Sequence, residues 1–286
     1  MRHVEVTGAV PAFEPLRETA GCALPGMLVD GPVGPIRSNF DANIQSHFPS
    51  TLPVPETQRD AVGSEIDAAC TLYKDAFPLA FLDETGRERP FISEIQIGHS
   101  VRDDEVLTAS SAGAPGAVIV VANWPLEKPI RLASLLVHEA MHQALYVRER
   151  LANPVRPGSL GYSPWKNTLR PGRMVWHAFW TFSTQLAFLH EFVRTLPESR
   201  RVDPGLAEFV ADIWARLEIC IDSVRGFELV DADEEKTMTT VFRASEERLA
   251  QSPSQELEDA IAKRRADVET EFAAWRSSML SEASTA

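Results

Sequence analysis

The chain has 286 residues, 44% hydrophobic and 24% charged, an ordinary globular mixture long enough for one large domain or two small ones. Its formal net charge of −13 repels phosphates, which argues against nonspecific binding to nucleic acid or an anionic membrane, though it would favour a basic partner. No run reaches the length of a transmembrane helix, Met1 to Val6 lacks the apolar core of a signal peptide, and the 3 cysteines are too scattered for a disulfide framework, so a cytoplasmic protein is expected.

Residues 1–57 are rich in Pro and Gly and are expected to form an irregular segment with short extended pieces, packing on the body of the protein. Residues 58–286 read as a single, mainly helical, metal-binding catalytic domain. Ala61, Ile66, Ala69, Leu72, Tyr73, Phe77 and Phe81 recur at near-helical spacing, so a helix is predicted over about 56–82, with Pro78 bending or ending it. Residues 91–98 alternate apolar and polar, the mark of a half-buried strand. Residues 117–122, Ala-Val-Ile-Val-Val-Ala, read as a buried strand, with a turn before them at about 110–116.

A long helix follows over about 131–152, stopped by Asn153 and Pro154. Residues 153–172 hold many Pro and Gly and are expected to be an ordered functional loop, marked by Tyr162, Trp165, Lys166 and Arg170. A second apolar helix is predicted over 173–195 and a third over about 206–229. Two more are predicted within 231–281, broken near Ser252-Pro253. The fold class is therefore mainly α with a small β-sheet, an α+β protein. Cys70 and Cys220 fall on apolar helical stretches and read as small core residues.

The chemistry concentrates in Leu135–Leu145, which holds His138-Glu139-x-x-His142 within an apolar run. Helical residues four apart lie about 6 Å apart along the axis and about 40° apart around it, so both imidazoles can share one ion. A buried His needs partners for its ring nitrogens, and two His with a Glu in one turn point to a metal site rather than a plain core. Glu139 lies about 100° round from His138, which suits a base or an outer partner rather than a third ligand.

For that third ligand the spacing favours His177, near the start of the next apolar helix. Leu145 and Arg148 occupy the positions where a His-x-x-Gly-x-x-His continuation would place Gly and His. Glu149 shares the helical face but lies about 10 Å beyond His142, too far to bind the same ion. Glu191 would serve only with His177 idle.

Three imidazoles leave coordination positions open, for zinc with an activated water or for Fe(II) with a chelating cosubstrate. A hydrolase would use Glu139 as general base. An oxygenase would need a cation for the distal carboxylate of 2-oxoglutarate, and Arg170 and Arg173 stand just before His177. Trp165, Trp176 and Phe179 are candidates to wall the pocket.

Taken together, His138-Glu139-x-x-His142, Ser163-Pro164-Trp165-Lys166, Arg170-Pro171 and His177 in a Phe/Trp-rich helix resemble the His-Glu-x-x-His peptide-modification proteins, over about residues 117–195. These are iron- and 2-oxoglutarate-dependent peptide β-hydroxylases of ribosomal peptide natural-product pathways. The resemblance implies iron at His138, His142 and His177 and the 2-oxoglutarate carboxylate at Arg170; Arg173, Lys166 and Trp165 stand beside these as further candidate cosubstrate contacts. It also implies dioxygen as co-reactant and a precursor peptide as substrate. Two departures stand out: Lys166 occupies a position usually held by Arg, and the gap from Arg170-Pro171 to His177 is short. The rival expectation is a zinc metallopeptidase with Glu139 as its base.

Overall fold

The computed structural model describes residues 14–23, 28–30, 34–83, 85–102, 106–126, 129–195, 204–251 and 255–285. It is a mainly helical α+β protein, 59% helix against 17% strand. Two compact units are present, one from the described residues of Met1–Glu18 and Met27–Leu136, the other from those of Thr19–Gly26 and Val137–Ala286.

The N-terminal stretch is more regular than its Pro and Gly content suggests. It holds a ten-residue helix, α1 (Glu14–Ala23), and two short strands, β1 (Leu28–Asp30) and β2 (Arg37–Asn39). The prolines punctuate these elements and do not exclude them. Residues 1–13, also expected to be irregular, lie outside the described residues.

α2 (Glu56–Ala76) is shorter than predicted. Pro78 follows its end, and the residues assigned to the last helical turn form β3 (Leu79–Leu82). β1, β3 and β4 (Glu88–Pro90) make an antiparallel sheet. A second sheet runs β2-β5-β7-β6, from β5 (Glu94–His99), β6 (Val106–Ser110) and β7 (Ala117–Ala122), with β2, β5 and β7 parallel and β6 antiparallel at one edge.

The predicted strands correspond to β5 and β7, but β6 was not anticipated, because its residues are half-buried throughout and show no clear alternation. β7 is continuously apolar because both its faces are covered. Val118 and Val120 are fully buried, while Ile119 and Val121 pack with Ile44 and Phe48 on the other side. Gly98 on β5 permits that packing, since a Cβ there would stand 2.3 Å from Ile44 Cδ1. Tyr73, Phe77, Phe91 and Phe81 form a chain of ring contacts in the same unit.

α3 (Pro129–Leu151) begins in the first unit, and the second is built from its later turns, the described residues that follow and those of Thr19–Gly26. The stretch expected to be a loop is instead a β-hairpin, β8 (Leu160–Ser163) paired antiparallel with β9 (Thr168–Pro171). Its prolines stand where a ladder tolerates them. Pro164 takes the second position of a turn closed by Lys166 N–H donating to Ser163 O at 3.1 Å, and Pro171 ends β9. Asn167 follows with a φ of 48°, a left-handed conformation that Asn tolerates, and its Oδ1 accepts from the Tyr162 hydroxyl at 2.8 Å.

α4 (Gly172–Thr195), α5 (Pro204–Gly226), α6 (Ala232–Ala250) and α7 (Gln255–Thr285) complete the unit. The expected break near residue 252 lies outside the described residues. Trp176, Phe179, Trp180 and Phe188 of α4 are fully buried, and Trp214 of α5 stacks on Phe242 of α6 at 4.9 Å. Cys70 and Cys220 are both buried. No helix among the described residues is long and apolar enough to cross a membrane.

Candidate functional site

α3 carries a polar stripe. His138, His142, Tyr146 and Glu149 fall within about 80° of helical arc over about 16 Å of axis. On α4, Arg173, His177 and Gln185 recur at intervals of four and eight. The stripes meet in antiparallel order: His138 with Gln185, His142 with His177, and Glu149 with His177 and Arg173.

His142 Nδ1 lies 2.9 Å from His177 Nδ1, the two rings 5.2 Å apart and 25° from parallel. On its far edge, His177 Nε2 lies 3.0 Å from Glu149 Oε1. An ionised carboxylate only accepts, so Nε2 carries the proton and Nδ1 presents its lone pair. Arg173 grips both oxygens of Glu149, with Nη2 donating to Oε2 at 2.8 Å and Nε donating to Oε1. His138 Nδ1 lies 3.2 Å from Oε1 of the fully buried Gln185; an amide oxygen accepts, so Nδ1 carries the proton and Nε2 presents the lone pair. The His138 and His142 rings are 5.0 Å apart.

Among the described residues, no three His, Cys, Asp or Glu side chains enclose an ion outright. The direct meeting is between His142 and His177, with His138 one turn along α3. Two nitrogens bound to one ion at about 2.0–2.1 Å stand ~2.9 Å apart at a right angle and ~3.3 Å apart at the tetrahedral angle. The separation of 2.9 Å therefore suits a shared ion with at most a few tenths of an ångström of adjustment.

The protonation states suit one as well. Burial pushes His138 down to about 4, against the opposing hydrogen bond of Gln185. Burial pushes His142 well below its ordinary value, and the positive charge that His138, His177 and Arg173 can carry adds to this. His177 is lowered by burial too, with Glu149 pulling the other way. All three are neutral near pH 7, the form that binds a divalent ion. His138 and His142 are nonetheless half-buried and not fully enclosed.

Glu149 is ionised. Burial alone would raise its carboxyl, but the hydrogen bonds and charges of His177 and Arg173 outweigh it and hold it at about 2. Glu139 is 3% exposed and sits about 100° round from His138, beside the stripe and not in it.

The other expected residues divide. Trp165, at the hairpin turn, stacks flat on Phe182 at 4.0 Å, and Phe182 meets His138 edge-on at 4.6 Å. Trp165 thus approaches the histidines through one intervening ring. Arg170 lies on β9 opposite Gly161, half-buried, with no hydrogen-bond or ion-pair partner for its guanidinium among the described residues. No described contact joins it to the histidines. Arg173 is taken by Glu149, and Lys166 is exposed at the turn. Trp176 lies edge-on to His177 at 5.2 Å, while Phe179 is plain core.

Sequence reasoning missed Glu149, Gln185, Tyr146 and Phe182 as members of the cluster. The i, i+4, i+8, i+11 spacing on α3 was the signal for Tyr146 and Glu149. Glu149 was set aside for its distance from His142, but the antiparallel partner brings His177 to it. No known protein-family model matches this sequence, and no curated protein is similar to it.

Proposed function

We propose that this protein is a cytoplasmic Fe(II)/2-oxoglutarate-dependent oxygenase that hydroxylates a side-chain carbon, Cβ foremost, of a ribosomally made precursor peptide. The observation that carries the reading is the meeting of His142 and His177 from two helices, with His138 one turn away and all three imidazoles neutral. His138, His142 and His177 would hold the iron. Bound together, iron, 2-oxoglutarate and dioxygen supply a hydroxylation in which one oxygen atom enters the substrate, the other leaves in succinate, and carbon dioxide is released.

The chain's own contribution is binding, orientation and exclusion of water. Gln185 and Glu149 fix the outer nitrogens of His138 and His177. Trp165 and Phe182 supply an apolar wall beside His138. Arg170 offers a guanidinium with no described protein partner, suited to the far carboxylate of 2-oxoglutarate.

The rival, a zinc peptidase, draws on the burial of Glu139 one residue from His138. Adding Fe²⁺ and 2-oxoglutarate without oxygen should give a visible charge-transfer band, and a co-expressed precursor peptide should gain one oxygen by mass. The band should vanish in His177→Ala. Absence of the band, with metal-dependent peptide cleavage lost in Glu139→Gln, would replace the oxygenase by the peptidase.

A further inference from the structure

Among the described residues, the carboxylate common in non-haem iron sites has no counterpart directly between the three histidines, yet one stands immediately behind them. Glu149 lies two turns beyond His142 on α3 and meets the edge of the His177 ring opposite the one that faces His142. We propose that Glu149 is a positioning residue for the metal centre: it accepts the Nε2–H of His177, turns Nδ1 toward His142, and is itself locked by Arg173. This rests on the reading of His138, His142 and His177 as metal ligands.

Three features set the arrangement apart from a chance surface ion pair. Arg173 holds both carboxylate oxygens, so the plane of Glu149 is fixed and not merely its charge. Tyr146 lies 5.2 Å from the His177 ring and carries the Arg173 guanidinium over its own face at 5.7 Å, so the cation is steered from a second side. His177 is 4% exposed, so turning its ring would lose the contacts to Glu149 and His142 together and leave buried ring nitrogens unpaired. A carboxylate behind a ligating imidazole fixes its tautomer and raises its basicity, and losing such a partner typically costs about 10–100-fold in metal affinity. Negative charge would then reach the ion through an imidazole, without a fourth protein ligand taking a coordination position.

Co²⁺ is the probe, titrated into the metal-free full chain and followed by its visible absorption. Wild type should take up one equivalent. Glu149→Ala should bind about 10–100-fold more weakly with a displaced absorption band, and Glu149→Gln, which keeps an acceptor but not the charge, should fall between. Arg173→Gln leaves the carboxylate in place but unlocked; it should weaken binding several-fold, and it decides the matter if the Glu149 variants do not fold by circular dichroism. Wild-type affinity and an unmoved band in the folded variants would overturn the inference while sparing the metal centre. No Co²⁺ uptake by wild type would remove the metal centre and this inference together.

Discussion

At the scale of the single residue, burial does different work on different groups. It keeps three imidazoles neutral, each presenting a lone pair, and it makes a thiol inert. Cys70 is pushed from an ordinary 9.0 to about 11, by burial first, with the positive charge of Lys74 opposing and Asp67 reinforcing. Raising a thiol by two units cuts its thiolate fraction at pH 8 about 100-fold, and the thiolate is the reactive form. Native protein at pH 8 should therefore label at Cys70 at least about 100-fold more slowly than urea-unfolded protein, and peptide mapping after labelling would read this directly. Arg170 is the opposite case, a charge held half-buried without a described partner. If it grips the far carboxylate of 2-oxoglutarate, Arg170→Ala should raise the 2-oxoglutarate concentration for half-maximal turnover about 10–100-fold, since a charge-assisted hydrogen bond is worth about 1.5–3 kcal/mol. Metal uptake should be unchanged. An unaltered 2-oxoglutarate requirement would move the role to Lys166, because Arg173 is committed to Glu149.

At the scale of the element, one carboxylate ties α4 to α6 and to α3. Glu234, in the first turn of α6, accepts from Trp176 Nε1 at 2.6 Å and Trp180 Nε1 at 2.9 Å, and pairs bidentately with Arg148 of α3. Asp231 caps the same turn by accepting from the Glu234 N–H at 2.8 Å. Glu234→Ala would strand two buried indole donors and a mostly buried guanidinium, so it should destabilise the protein by about 3–5 kcal/mol in urea unfolding, while Glu235→Ala one residue on should cost under about 1 kcal/mol. The same elements show which parts of the fold could be read from the chain. α3, α4 and β7 were legible because their apolar residues keep a single period or run unbroken over many positions. The β8–β9 hairpin was not, because its two strands are short and its Pro and Gly residues, which serve the turn and the ends, read as loop signals. His138, His142 and His177 were visible as types at a spacing, whereas Gln185 and the role of Glu149 depend on α4 running antiparallel to α3. That register is a tertiary fact which no local window contains.

At the scale of the whole molecule, charge is unevenly used. There are 41 Asp and Glu against 28 Lys and Arg, and many of the arginines are already spent in specific pairs. Arg148 serves Glu234, Arg173 serves Glu149, and Arg216 and Arg264 share Asp212 and Glu271. The excess carboxylates repel one another more strongly in the folded state, where they are confined, than in the expanded chain. Salt acts on both kinds of interaction: it weakens exposed pairs, each worth about 0–1 kcal/mol, and it screens the long-range repulsion. The pairs that matter most to the helix interfaces are partly buried and so are screened least. Repulsion from a net −13 spreads over the whole surface and feels the full change in Debye length. The repulsion term should therefore decide the sign. At pH 7.5 the melting temperature should rise by a few degrees between about 0.02 and 0.3 M NaCl, over which the Debye length falls from about 20 to about 6 Å. At pH 5, near the sequence pI of about 5.0, the net repulsion is gone and only the pairs respond, so the same salt change should leave the melting temperature level or lower it. An equal rise at both values of pH would mean that salt acts through burial of apolar surface and not through charge.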